Sequence, residues 1–173
     1  MTEHNNIPVT AHLIIPMLIK DIHSHVQPVA EIHKVFELKF HKVQTYGTVY
    51  DIRLHRKTKS LIIGLDDTTG RINAYVGLPK DPHFWSQKDT TMKDFVKIGE
   101  FTKEQYLQKI INHPRILLGS RVFLIGRPRM NVRRKEYELA KAEITFDDGP
   151  DRAKEIAFRM KLVDFYTNNF KKE

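Results

Sequence analysis

Nine cations fall in two short stretches that contain no acid. Arg53, Arg56, Lys57 and Lys59 lie within residues 53–59, and Arg127, Arg129, Arg133, Arg134 and Lys135 within residues 127–135. The whole chain of 173 residues carries 29 Lys and Arg against 21 Asp and Glu, a formal charge of +8. Without those nine, acids outnumber bases by one. Charge gathered in this way points to an acidic partner, most often a phosphate backbone. The plainer alternative is a pair of solvated hairpin tips, where Lys and Arg are common. Between the two stretches, Arg71, Asn73 and Tyr75 alternate with Ile72, Ala74 and Val76. In a strand that alternation puts a guanidinium, an amide and a flat ring on one face and an apolar row on the other. Single-stranded nucleic acid is held by such a set, a cationic groove with rings on which bases stack. Tyr75 is the first stacking candidate, with Arg53, Lys57 and Lys59 on one rim and Arg127, Arg129, Arg133 and Arg134 on the other. Trp85 sits in a proline-flanked stretch, where an indole serves equally to cap a core edge. Tyr46 and Tyr50 flank Gly47, and their facing is open.

Other chemistries find little support. There is no cysteine, which removes disulfides, thiolate nucleophiles and Cys-ligated metals. Of the nine histidines, His23, His25 and His33 are nearest one another, and their spacing matches no zinc arrangement. Asp66 and Asp67 are adjacent carboxylates, for which a turn is sufficient explanation. No phosphate-binding glycine loop, dinucleotide fingerprint or nucleophile elbow occurs. Neither an enzyme, a cofactor nor a metal is expected. The longest apolar run, residues 13–19, holds Pro16 and stops at Lys20, far short of the ~20 residues that cross a bilayer, so no membrane partner is expected. Residues 1–6 are polar and carry Glu3, unlike a secretion leader.

The elements that would position these residues follow from punctuation and period. Residues 1–11 suit a flexible lead and residues 13–22 an extended lead-in strand; Pro28 argues against a continuous helix over 23–35. Residues 42–54 are rich in Val, Thr, Tyr and Ile and form a strand, with Gly47 as its bulge or bend. A second strand covers 60–66 and a third 71–76, joined by Asp66-Asp67-Thr68-Thr69-Gly70, where Asx side chains bond their own backbone and Gly70 is free to take φ > 0. Residues 78–100 form an irregular insertion. Thr102 is an N-cap, with Gln105 in the capping-box position, for a helix to about 112. Strands follow at 121–130 and 137–145. Asp147-Asp148-Gly149-Pro150 then reads as the start of a last helix.

Three strands, a helix, two strands and a helix make an all-β fold with flanking helices: the five-stranded OB-fold, a Greek-key barrel, occupying 12–147 and followed by a helix in 148–173. In that barrel a long bent first strand pairs in both halves, which suits Gly47. The connections between strands one and two and between strands four and five flank one binding face. Those connections are the two basic stretches.

The same residues resemble a family. Gly47-Thr48-Val49 followed by the run Gly64-Leu65-Asp66-Asp67-Thr68-Thr69-Gly70-Arg71-Ile72-Asn73 resembles the OB-fold of the middle subunit of replication protein A. It resembles more closely the Stn-type subunit of the CST telomere-capping complex. Leu18-Ile19-Lys20-Asp21-Ile22 resembles the family's lead-in strand and residues 121–127 its fourth strand. Ala157-Phe158-Arg159-Met160 lies where the family's C-terminal helix packs on a small partner subunit. The likeness spans roughly 13–170 and departs in the 78–99 insertion and in the lack of winged-helix modules, so that the OB-only relative of the insect terminin complex is also similar. The resemblance implies single-stranded DNA, a small OB-fold partner with a larger third subunit, and a nuclear, telomeric location.

The last helix carries two apolar stripes, Ala153, Ile156, Ala157, Met160 and Val163 on one face and Phe158, Leu162, Phe165 and Tyr166 on another. One stripe docks on the barrel; two exceed what a monomer needs, and exposed apolar area marks interfaces. Ile156, Met160, Leu162, Val163, Phe165 and Tyr166 are therefore the expected partner-facing residues. The rival reading keeps the fold as an interaction scaffold that itself touches DNA little.

Overall fold

The computed structural model describes residues 13–29, 32–55, 57, 60–77, 118–147 and 151–169. In chain order these form β1 (Ile14–Pro16), α1 (Ile19–His25), β2 (Gln27–Val29), β3 (Ile32–Val35), β4 (Leu38–Phe40), β5 (Lys42–His55), β6 (Ser60–Asp66), β7 (Arg71–Val76), β8 (Arg121–Asn131), β9 (Glu136–Phe146) and α2 (Ala153–Asn169). The helix expected over 102–112, the insertion at 78–100 with Trp85, and the lead at 1–11 lie outside the described residues.

Strand β5 organises the barrel. Its first half pairs with β8, Val43 opposite Gly126 through Thr48 opposite Arg121, and its second half with β6, Thr48 opposite Asp66 through His55 opposite Ser60. Gly47 sits beside this crossing, where an added Cβ would lie 2.4 Å from the Asp66 carbonyl oxygen. Of the bulge or bend expected at Gly47, the bulge is not there: Gly47 is a point of close backbone approach where β5 passes from one partner strand to the other. The register slips instead between Val49 and Asp51, which makes Tyr50 the extra residue and turns it outward. Beyond β6, β7 runs antiparallel to β6 and parallel to β9. Strand β9 pairs with β8, which closes on β5. This is the five-stranded OB barrel. Its core is Ile15, Met17, Val49, Leu61, Ile63, Leu65, Ile72, Ala74, Val76, Leu124 and Leu139, all buried. Burying each large aliphatic side chain contributes ~1.5–3 kcal/mol, and Ile72, Ala74 and Val76 form the inward row that alternation requires.

Two features of the chain before β5 differ from the sequence reading. The lead-in is a strand only at β1, which adds parallel to β5; from Ile19 the chain is helical, because a distant turn supplies its cap. Asp67 Oδ2 accepts the Ile19 N–H at 2.8 Å, and Thr69 Oγ1 accepts that of Lys20 at 3.3 Å, satisfying first-turn amides that a helix leaves orphaned. In the same turn Asp67 Oδ1 accepts the N–H groups of Thr69 and Gly70, and Asp66 Oδ1 that of Thr68. The left-handed residue is Thr68, at φ 73°, while Gly70 leaves room for Ile19, whose Cγ2 would stand 3.1 Å from an added Cβ. The second difference is a separate sheet of β2, β3 and β4, with Pro28 in its exposed outer strand, where a missing N–H costs nothing.

Helix α2 begins at Ala153, whose N–H donates to Asp151, and not at Asp147, which is buried at the end of β9. Phe158 and Leu162 pack on Tyr46 and Phe123, with Leu18 and Tyr166 at the margin. Glu155, 3% exposed, meets Arg152 at 2.7 Å, Arg159 at 2.9 Å and Arg121 at 3.4 Å. The Tyr46 hydroxyl donates to Asp147 Oδ2 at 2.7 Å and lies 3.2 Å from Glu155 Oε2. Burial and that bond to Asp147 push the Tyr46 pKa well above its ordinary value. At the other end the Tyr166 hydroxyl accepts the Leu18 N–H and donates to Asp21, fastening α2 to α1; burial, then the Asp21 bond, raise its pKa as well.

Candidate nucleic-acid interface

The outer face of β7 carries the site. Arg71, Asn73 and Tyr75 point away from the core, and neighbouring strands bring further side chains to each of them. The Arg71 guanidinium carbon lies 4.6 Å from the centre of the Tyr50 ring. Tyr50 reaches this position because Gly64 of β6 has no side chain: an added Cβ there would stand 2.8 Å from the ring. Asp66 accepts from Arg71 at 2.8 Å and orients it; that hydrogen bond chiefly holds the Asp66 carboxyl below its ordinary range. Two residues further on, Asn73 Oδ1 accepts from Arg53 at 3.4 Å, and Arg53 is paired with Asp51 at 2.7 Å. At Tyr75 the Arg129 guanidinium carbon lies 4.8 Å from the ring centre, and the His55 ring meets the same tyrosine edge-on at 5.5 Å. Glu138 holds Arg129 at 3.4 Å. Two arginine–tyrosine stacks therefore stand on β7, four residues apart, which in a strand is ~13 Å.

The structure thus brings Arg53, of the first basic stretch, and Arg129, of the second, to adjacent outward residues of β7. Arg133 and Arg134 are exposed in the β8–β9 turn, where Asn131 Oδ1 accepts both of their N–H groups, at 3.1 and 3.2 Å. An open cleft of about 590 Å³ lies against this turn, lined by Tyr50, Arg71, Asn73, Arg134, Glu136 and Glu138 among others. Lys57 is exposed beyond the end of β5; Lys59 lies outside the described residues. Arg127 is exposed on β8, near enough to the small sheet for its charge to act on His33, whose pKa is lowered first by burial and then by Arg127 and His41. Of the residues expected to face a partner, Ile156, Met160 and Val163 are 54%, 64% and 63% exposed. Leu162 is buried against the barrel, and Phe165 and Tyr166 are half-buried against it, because α2 docks through that second stripe.

Tyr50, Glu136, Glu138 and His23 belong to the cleft and were not among the expected binding residues. His23 Nε2 bonds the Arg71 carbonyl at 2.9 Å, and its Nδ1 accepts the Tyr137 N–H at 3.2 Å, so one imidazole ties α1 to β7 and β9. The only hint of Tyr50 was its nearness to Gly47; nothing local marks the two glutamates. Among the described residues no group of His, Asp and Glu could hold a metal ion.

No family model and no curated protein sequence matches the chain. Solved structures do. A replication protein A heterotrimer bound to single-stranded DNA is similar with a TM-score of 0.57 at 12% identity, covering 91% of this chain and 98% of that one. The S. pombe Stn1–Ten1 complex is similar with a TM-score of 0.51 at 17% identity, covering 89% and 96%. Yeast Stn1 and Ten1 give 0.53 at 10%, covering 94% and 76%. At these identities the likeness establishes the class of the fold, an OB barrel with a C-terminal helix.

Proposed function

We propose that this chain is an OB-fold subunit of a telomere-capping or replication complex in the nucleus. It binds single-stranded DNA across β5, β6 and β7, mainly through charge and stacking, and joins a second OB-fold subunit through the exposed stripe of α2. The observation that carries this is the pair of arginine–tyrosine stacks on β7, flanked by the two basic stretches. Flat cationic surfaces on a groove rim suit bases and phosphates together. The named neighbours, one bound to single-stranded DNA and others paired as Stn1–Ten1, agree with both halves of the reading.

The test is a fluorescence-anisotropy titration of an unstructured oligonucleotide with the full chain at several salt concentrations. Affinity should fall with salt, with a logarithmic slope of about −0.7 per phosphate contacted. No retention at low salt would remove the DNA half of the proposal. One observation favours a scaffold with little DNA contact of its own: Arg53, Arg71 and Arg129 each have a carboxylate partner, which lowers the potential of the groove. That reading expects assembly through α2 with negligible binding of the oligonucleotide.

A further inference from the structure

Glu136 is out of place in a phosphate-tracking groove. It is the exposed first residue of β9, paired by backbone opposite Asn131; its side chain lines the cleft with Arg71, Asn73 and Arg134, and its carboxylate makes no hydrogen bond or ion pair with another described residue. A carboxylate with no cation to answer repels a phosphate chain and weakens binding to any sequence. Its neighbours supply what a base requires. Arg71 presents a guanidinium plane, kept in orientation by Asp66 and backed by Tyr50. Asn73 uses its Oδ1 on Arg53, and its amide N–H₂ donates to no other described residue. Glu138, deeper in the wall, is already taken up by Asn131 at 2.7 Å and by Arg129. The cleft therefore offers a stacking plane, one donor and one carboxylate acceptor, in a volume within the ~300–1,000 Å³ of small-ligand sites.

We propose that this cleft is a nucleobase subsite that selects bases bearing an exocyclic amine over thymine and uracil. Arg71 is the plane on which the base lies, and Glu136 accepts from the amine. The proposal rests on the single-strand reading above and goes beyond it by assigning base readout to one position. The chemistry is that of donors and acceptors. Cytosine presents its N4 amine, a donor, where uracil and thymine present O4, an acceptor. A carboxylate accepts from cytosine N4, whereas opposite O4 it meets a lone pair, and that repulsion discriminates as effectively as the attraction. Asn73 can donate to O2, which cytosine and uracil share, so it contributes binding without choice.

Oligo(dC) and oligo(dU) of equal length differ only at position 4, amine against carbonyl, and at N3, an acceptor in cytosine and an N–H donor in uracil; anisotropy titrations of both with the full chain test whether Glu136 reads position 4. Oligo(dC) should bind about tenfold tighter, the size of one good base-edge contact. That ratio should persist as salt weakens both. Glu136→Gln should remove most of the difference, and Glu143→Gln, a carboxylate on the far part of β9 paired with Lys42, should preserve it. Equal binding of the two oligonucleotides, tighter binding of oligo(dU), or a ratio unchanged in Glu136→Gln would each overturn the subsite while leaving the single-strand reading intact. Failure to bind either one would overturn both.

Discussion

The guanidinium carbon of Arg129 lies 4.8 Å from the centre of the Tyr75 ring, joining a residue of β8 to one of β7 across the outer face of the barrel. Glu138 steadies the arginine and His55 meets the tyrosine edge-on, so the ring is fixed before any ligand arrives. A base can lie on this stack or take the guanidinium's place. Stacking contributes ~1–3 kcal/mol per base, and about 1.4 kcal/mol is tenfold in affinity. Tyr75→Ala should therefore weaken binding of an unstructured oligonucleotide by at least about fivefold, and Tyr75→Phe should retain most of it. Equal affinities for wild type and Tyr75→Ala in an anisotropy titration would remove this ring from the binding face.

Two glycines separate folding from binding. At Gly47 an added Cβ meets backbone, the Asp66 carbonyl at 2.4 Å, and nothing there can swing aside. At Gly64 it meets the ring of Tyr50 at 2.8 Å, an exposed side chain that can move, and the Asp51 Cβ at 3.0 Å, which has to give by a few tenths of an ångström. Gly47→Ala should cost ~1–3 kcal/mol or more in stability, the range for overpacking. Gly64→Ala should lose less stability than Gly47→Ala, read as a smaller shift of the urea midpoint, but lose affinity, because the displaced Tyr50 no longer supports Arg71. Equal losses of stability in both variants would contradict this division.

The difference between those glycines shows where the sequence was legible. Alternation from Arg71 to Val76 and the Asx turn before it are local properties, and β6 and β7 run over the residues expected of them. The basic stretches were visible as charge runs, and OB connectivity brought members of each to β7. What escaped was settled by distant partners. Residues 19–25 form a helix capped by Asp67, forty-eight residues away, and no reading of that apolar run alone could supply the cap. Tyr50 faces the groove because the register slips one residue after Val49. The carboxylates Asp66 and Glu138 that orient the stacked arginines come from two different strands. On α2 the period correctly separated two stripes, but which one docks depends on Tyr46 and Phe123 of the barrel.

Arg133 and Arg134 stand at the tip of the β8–β9 turn, their backbone held by Asn131 and their side chains exposed. If they contact two phosphates, replacing both by alanine should flatten the salt slope by about 1.4. The folded state should be unaffected, since neither side chain is buried. An unchanged slope in parallel anisotropy titrations would clear this turn of any role in binding.

Glu155 links α2 to the barrel, and the sign of its pH dependence follows from its neighbours. Burial alone would raise its pKa, but hydrogen bonds and charge from Arg152 and Arg159 outweigh that and hold it below the ordinary value of 4.5. A carboxyl depressed on folding contributes stability that is complete above its unfolded value and is lost as pH falls through the lower folded one. The urea midpoint of the wild type should therefore decline as pH drops below 4.5. Glu155→Gln should be less stable at neutral pH and show a shallower decline in acid. Parallel acid limbs for the two proteins would mean that this group does not govern the docking of α2.

The exposed stripe of α2 separates partner binding from folding in the same way. Phe158 and Leu162 hold the helix on Tyr46 and Phe123, so Phe158→Asp should unfold or release it, as burying an unpaired charge does. Met160 and Val163 face outward at 64% and 63% exposure, and replacing both by Asp should leave the urea midpoint of the isolated chain close to that of the wild type. Charge is depleted at the cores of protein interfaces, so if the proposed OB-fold subunit co-purifies with the wild type from cell extract, the same double variant should lose it. Retention of that subunit by a folded Met160→Asp, Val163→Asp protein would move the interface elsewhere and leave the apolar stripe without a role in assembly.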